Sequence, residues 1–127
     1  MHEYSLFLNI LYHLEKILEP YSSPQLKKVI FVIGELSGVE EEFLKKVIET
    51  FKERTLLKDA EIIFEKERLK VFCTKCEKMY EPKNTNTQCP YCEGFETKIV
   101  GGMDFYIKSL EILVEESSEN KSAEGGS

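Results

Sequence analysis

The chain has 127 residues, 42% of them hydrophobic, and a formal net charge of −6. That length and apolar content support one core of ordinary size and not two. The acidic balance, with no basic run longer than a Lys-Lys pair, argues against a nucleic-acid binder, and no stretch approaches the ~20 apolar residues of a membrane span.

Residues 3–19 read as a helix. Leu6, Phe7, Ile10, Leu11, Leu14, Ile17 and Leu18 recur at three- and four-residue steps and form one wide apolar stripe. Ser5, Asn9, Tyr12 and Lys16 face away from it, and Pro20 ends the helix. "LKKVIFVIG" (Leu26–Gly34) is a β-branched, nearly unbroken apolar run, suited to a strand buried on both faces or a central one. A second helix is expected in "SGVEEEFLKKVIETFKER", opened by a Ser37/Glu40 capping box, with Phe43, Leu44, Val47, Ile48 and Phe51 inward. "AEIIFEKERLKVF" reads as one strand, with Ala60, Ile62 and Phe64 on one side and Glu61 and Glu65 on the other.

The pattern then breaks for a polar, turn-rich stretch that holds every cysteine. Beyond Gly101–Gly102 the strand "MDFYIKSLEILVEE" alternates in one phase to Ile107 and in the opposite phase from Leu110. A β-bulge near Lys108–Ser109 produces such a change, and so does a change of pairing partner. Residues 117–127 contain no large apolar side chain and are expected to be disordered.

The element order implies an α+β fold: a small three-stranded sheet covered by two helices, interrupted by an inserted four-cysteine, zinc-ribbon-like lobe. The expected division is a discontinuous domain of residues 1–68 and 101–116, a lobe of residues 69–100, and the tail. Relative movement of the two is expected at Arg68–Val71 and Val100–Gly102, with Gly101–Gly102 the softer side.

Cys73-x-x-Cys76 and Cys89-x-x-Cys92 are separated by twelve residues. Each pair folds into a tight turn that places two sulfurs on one side, and two facing turns make a tetrahedral S₄ site. The start of the chain carries an acid at Glu3 and helical periodicity where a signal would be basic and apolar, so the expected compartment is the cytoplasm. In a reducing cytosol four cysteines read as metal ligands before disulfides. Zinc is the first choice and a rubredoxin-type iron centre the second. Four protein ligands leave no open position, which makes the site structural. No paired carboxylates in a loop, Gly-rich phosphate motif or separate Cys–His pair points to an enzyme.

"MHE" places a free α-amine beside an imidazole. Amine, deprotonated His2 amide and His2 imidazole form fused chelate rings, and the Glu3 amide completes a nitrogen set of a kind that selects Ni(II) or Cu(II). A frayed, solvent-exposed start is the other reading of the same residues. His13 lies ~16 Å up the helix axis, too far to join that chelate, and reads as a helix-edge histidine. Two further classes remain open from the residues: a zinc-ribbon module for protein or nucleic acid, and a rubredoxin-like electron carrier.

"MHEYSL", "VIFVIGELSGVEEEFL", the two cysteine pairs and "GGMDFYIKSLEILVEE", in that order, resemble the HypA/HybF hydrogenase-maturation nickel chaperones from Met1 to about Glu116. The resemblance implies nickel on the Met1 amine, His2 and the Glu3 backbone, and zinc on Cys73, Cys76, Cys89 and Cys92. It also implies a non-enzymatic, cytoplasmic protein with a HypB-type GTPase as partner, delivering nickel to a [NiFe] hydrogenase large subunit; some relatives also supply urease.

Overall fold

The computed structural model describes residues 2–83 and 86–115. Met1 and the tail expected to be disordered, residues 117–127, lie outside the described residues. Helix α1 (His2–Leu18) is followed by strand β1 (Gln25–Gly34), helix α2 (Glu41–Phe51) with a 3₁₀ turn over Lys52–Arg54, and strand β2 (Glu61–Glu67). Three short strands then come from the cysteine segment: β3 (Lys70–Cys73), β4 (Met79–Tyr80) and β5 (Thr97–Gly101). Strand β6 (Phe105–Leu113) closes the order.

The strands make two three-stranded sheets, one ordered β2-β1-β6 and one ordered β4-β3-β5. Strand β1 is the middle strand of its sheet, and its last four residues are all buried, so both of its faces are covered there, as its nearly continuous apolar run implies. Contacts divide the chain into two compact units, Met1–Val29 with Glu42–Ile63 and Ser109–Ser127, and Ile30–Glu41 with Phe64–Lys108. The first sheet's strands each contribute to both units.

In the first unit, α1 buries Glu3, Phe7, Ile10, Leu14 and Leu18, a stripe repeating at four- and three-residue steps. Helix α2 buries only Leu44 and Ile48, one turn apart. The two helices meet through rings, Tyr4 edge-on to Phe51 at 5.1 Å and Phe7 to Phe51 at 6.3 Å. In the second unit, Phe31 lies stacked between Phe64 and Phe105, with centroids 5.5 and 5.4 Å apart. One ring from each strand thus forms a row across the sheet, and Phe31 at its centre is fully buried.

Several sequence expectations need correction. Ile17, Phe43 and Phe51 remain 43%, 55% and 47% exposed, because each sits at the margin of its helix's apolar stripe. The capping box does not form: α2 starts at Glu41, and the Ser37 hydroxyl accepts from the Val39 amide within the preceding loop. The single strand expected over residues 60–72 is two strands, broken at Arg68–Leu69. Strand β6 keeps the anticipated phase change, since Lys108 and Ser109 are consecutive exposed residues in an otherwise alternating pattern.

Leu14→Ala removes a fully buried side chain and is expected to cost roughly 2–5 kcal/mol, whereas Ile17→Ala, at the solvent edge, costs less than about 1 kcal/mol. Urea unfolding of the zinc-loaded protein followed at several urea concentrations measures both.

Candidate metal centre

Strand β3 carries Cys73 to its final position, and β4 returns antiparallel beside it with Val71 opposite Tyr80 and Phe72 opposite Met79. The first cysteine pair is therefore the bend of a hairpin. Strand β5 pairs with the other edge of β3, with Cys73 opposite Thr97 and Val71 opposite Ile99. The second pair lies in the loop that leads into β5. The Thr74 amide and hydroxyl both donate to the Glu96 carbonyl at 2.8 Å, fastening the first turn to the entry of β5.

The two turns are backbone copies of each other. In the first, Cys73 N–H donates to the Lys78 carbonyl at 2.9 Å and Glu77 N–H to the Cys73 carbonyl at 2.8 Å. In the second, Cys89 N–H donates to the Gly94 carbonyl at 2.9 Å and Glu93 N–H to the Cys89 carbonyl at 2.8 Å. Both turns end on a residue in the left-handed region, Glu77 at φ 63° and Glu93 at φ 62°. A β-carbon makes that conformation costly by roughly 1–2 kcal/mol, so the turns hold it only because something else fixes them.

The sulfurs converge. All four Sγ atoms lie within 4.8 Å of one another, and the contacts between turns, Cys73 to Cys92 and Cys76 to Cys89, are both 3.6 Å. A tetrahedron with zinc–sulfur bonds of about 2.3 Å has edges of about 3.8 Å. The donor set and its spacing thus fit a four-coordinate thiophilic ion such as Zn(II), with no side left open for substrate. Cys73 and Cys89 are buried and Cys76 and Cys92 half-buried.

Amide groups already point at two of the sulfurs, Cys76 N–H at Cys73 Sγ (3.5 Å) and Tyr91 N–H at Cys89 Sγ (3.4 Å). The Cys76 amide is the main reason that the Cys73 thiol lies below its ordinary value. Burial raises Cys89, yet the Cys92 and Tyr91 amides outweigh it and bring that thiol down to about 7. Burial pushes Cys76 up to about 12, helped by its contacts with the Cys89 and Cys73 sulfurs. At Cys92 the Gly94 amide pulls downward, but burial and the Cys73 and Cys89 sulfurs leave it raised. Each pair therefore holds one thiol that is lowered and one that is raised, and a cation binding both must displace the proton of the raised one.

Sequence reasoning missed the groups that support these turns. Tyr80 packs beside the buried sulfurs and donates its hydroxyl to the Thr87 carbonyl. Lys78 Nζ lies 4.8 Å over the Tyr91 ring, linking the two turns.

His2 and Glu3 open α1, His2 exposed and the Glu3 side chain 7% exposed. Met1 lies outside the described residues. His13 is exposed further along the same helix, its ring edge-on to Tyr12 at 5.6 Å. Among the described residues no helix is long and apolar enough to cross a membrane.

Comparisons with known proteins point to one family. Residues 1–112 match the family described as "Hydrogenase/urease nickel incorporation, metallochaperone, hypA". The chain is 39% identical over 115 residues to hydrogenase maturation factor HypA of Aquifex aeolicus, covering 91% of this chain and all (100%) of that one. It is 34% identical over 113 residues to HypA of Caldanaerobacter subterraneus, covering 88% and 99%. Among solved structures, that of the "Ni metallochaperone HypA from Helicobacter pylori" superposes with a TM-score of 0.65 at 26% identity, covering 89% of this chain and 98% of that one.

Zinc uptake must displace the protons held at Cys76 and Cys92, so its apparent affinity is expected to fall as pH falls from about 8 to about 6. Chelator competition across that range, with proton release recorded in weakly buffered solution, tests the sign. Affinity that is flat across the range contradicts it.

Proposed function

The chain belongs to the HypA family of hydrogenase/urease nickel-incorporation metallochaperones, maturation factors and not enzymes, and on that premise we propose that it carries Ni(II) at its amino terminus. The proposed ligands are the Met1 amine, the His2 amide and imidazole, and the Glu3 amide. Zinc on Cys73, Cys76, Cys89 and Cys92 is the structural partner of this cargo site. The reading assigns residues 1–68 and 101–116 to nickel and residues 69–100 to zinc.

The observation that carries the reading is the start of α1 at His2. The His2 amide lies in the first turn of α1, whose N–H groups have no intrahelical acceptor, so it can lose its proton to a metal without breaking a helical bond. Electrostatics agree. A bare cation is disfavoured at the positive end of a helix dipole, but Ni(II) bound by two deprotonated amides is formally neutral. Adapting the backbone to such a chelate disturbs only a terminal turn, which is the part of a helix that opens most readily.

These features suit a site that releases its ion. Loading expels amide protons, so reprotonation assists release, and an incoming donor exchanges with nitrogens at the end of the chain. The partners that complete the reading are a HypB-type GTPase and the large subunit of a [NiFe] hydrogenase, in the cytoplasm, with urease maturation as the other branch of the family description. A nucleic-acid role for the zinc lobe finds no support in charge, because Lys70, Lys75, Lys78, Lys83 and Lys98 are interleaved with Glu77, Glu81, Glu93 and Glu96.

Nickel titration of protein beginning at Met1, of His2→Ala, and of a form extended by one N-terminal residue tests the site. Both changes are expected to weaken nickel binding at least about tenfold while zinc content stays at that of the parent. Undiminished nickel binding by both would refute it.

A further inference from the structure

Strand β1 ends at Gly34, and the turn that follows crosses both chain segments that join the first sheet to the cysteine lobe. On the segment between β2 and β3, Glu35 N–H donates to the Glu67 carbonyl at 2.8 Å, and Leu69 N–H donates to Glu35 Oε1 at 2.8 Å. One residue thus bonds on either side of Arg68, through its backbone and its side chain. On the segment between β5 and β6, Leu36 N–H donates to the Gly102 carbonyl and Gly34 N–H to the Asp104 carbonyl, both at 2.8 Å. Ser37 N–H closes the turn on the Gly34 carbonyl at 3.0 Å.

The backbones at these points are in direct contact. A β-carbon at Gly34 would lie 2.6 Å from the Gly102 carbonyl carbon and oxygen. One at Gly102, where φ is +91°, would lie 2.5 Å from the Leu69 α-carbon and 2.7 Å from the Arg68 carbonyl oxygen. Leu69 is almost fully buried. Glycine at 34 and 102 therefore serves close approach. A glycine that serves as a pivot needs space around it, and Gly102 has none.

Charge adds little. Arg68 Nε lies 3.9 Å from Glu35 Oε1 and 3.8 Å from Glu81 Oε1, but all three side chains are substantially exposed, and such pairs are worth little in water. Four hydrogen bonds of 2.8 Å, three between backbone groups and one to the Glu35 carboxylate, and two close backbone approaches hold the arrangement. Every residue involved belongs to the same compact unit, Ile30–Glu41 with Phe64–Lys108.

We propose that the Gly34–Ser37 turn is a clasp that locks both roots of the cysteine lobe, with Glu35 as its positioning residue, so that lobe and clasp form one rigid body. The junctions expected from sequence to flex, Arg68–Val71 and Val100–Gly102, are on this account fixed points. The clasp does not rest on where nickel binds, and its test uses zinc-loaded full-length protein without nickel.

Two NMR measurements decide it. In the parent, ¹⁵N order parameters at Arg68–Val71 and Val100–Gly102 are expected to match those of β1, near the ~0.85 of rigid backbone; values below about 0.6 at either junction overturn the clasp. In Glu35→Ala, amide exchange at Leu69 is expected to accelerate at least about tenfold relative to Ile48 in α2. The Gly34 and Leu36 amides, bonded to the opposite root, are expected to accelerate with it, because a clasp opens as a unit. Glu35→Gln keeps the carbonyl acceptor and is expected to stay close to the parent. Acceleration at Leu69 alone, or at none of the three, overturns the proposal.

Discussion

The inserted lobe depends on four sulfur atoms meeting at one point. Its buried cluster is Val71, Cys73, Tyr80 and Cys89, with Cys76 and Cys92 packed against it, so four of the six residues are cysteines. One valine and one tyrosine contribute only a few kcal/mol of apolar burial, against roughly 1–2 kcal/mol of backbone entropy for each residue ordered. Zinc on the four sulfurs would supply the difference. The same ion would tie down the two turns that end on Glu77 and Glu93 in the left-handed region. Residues that look irregular along the sequence thus become regular once the sulfurs are treated as the core.

The two proposed metal sites have opposite designs, and the contrast gives the chain its logic. The cysteine site is closed: its ligands come from two turns separated by twelve residues, and its occupancy is coupled to the folding of the lobe. The proposed terminal site is local: its donors come from three consecutive residues at one end of the chain. An ion at the first site is costly to remove, while one at the second is available for exchange. A protein that moves nickel needs the second kind of site for its cargo and can use the first kind for architecture.

Much of this organisation was legible in the sequence because it is written in local patterns. The spacing of Phe7, Ile10, Leu14 and Leu18 marks α1, the apolar run of β1 marks a central strand, and the cysteine spacing marks an S₄ set. The missed features are those decided by distant residues. Nothing local separates β2 from β3, since "FEKERLKVF" favours a strand throughout. The break at Leu69 is where the amide is taken by Glu35, thirty-four residues earlier. Strand β4 is two residues long and has no period to read. Ser37 has the composition of a helix cap, but the turn after β1 is committed to Glu67, Gly102 and Asp104, and α2 starts later. Gly102 was expected to be the softer point, and its sequence neighbours do not reveal the Arg68 and Leu69 backbone that a β-carbon there would meet.

The central claim is that cargo and architecture use separate ligands, with the cargo held by the chain's first nitrogen atoms. Acetylating the α-amine of zinc-loaded protein before nickel is added, followed by gel filtration and elemental analysis of each metal, tests that separation most directly. The account predicts that nickel falls to background while zinc stays at one per chain. Nickel retained in full on the acetylated protein would contradict it.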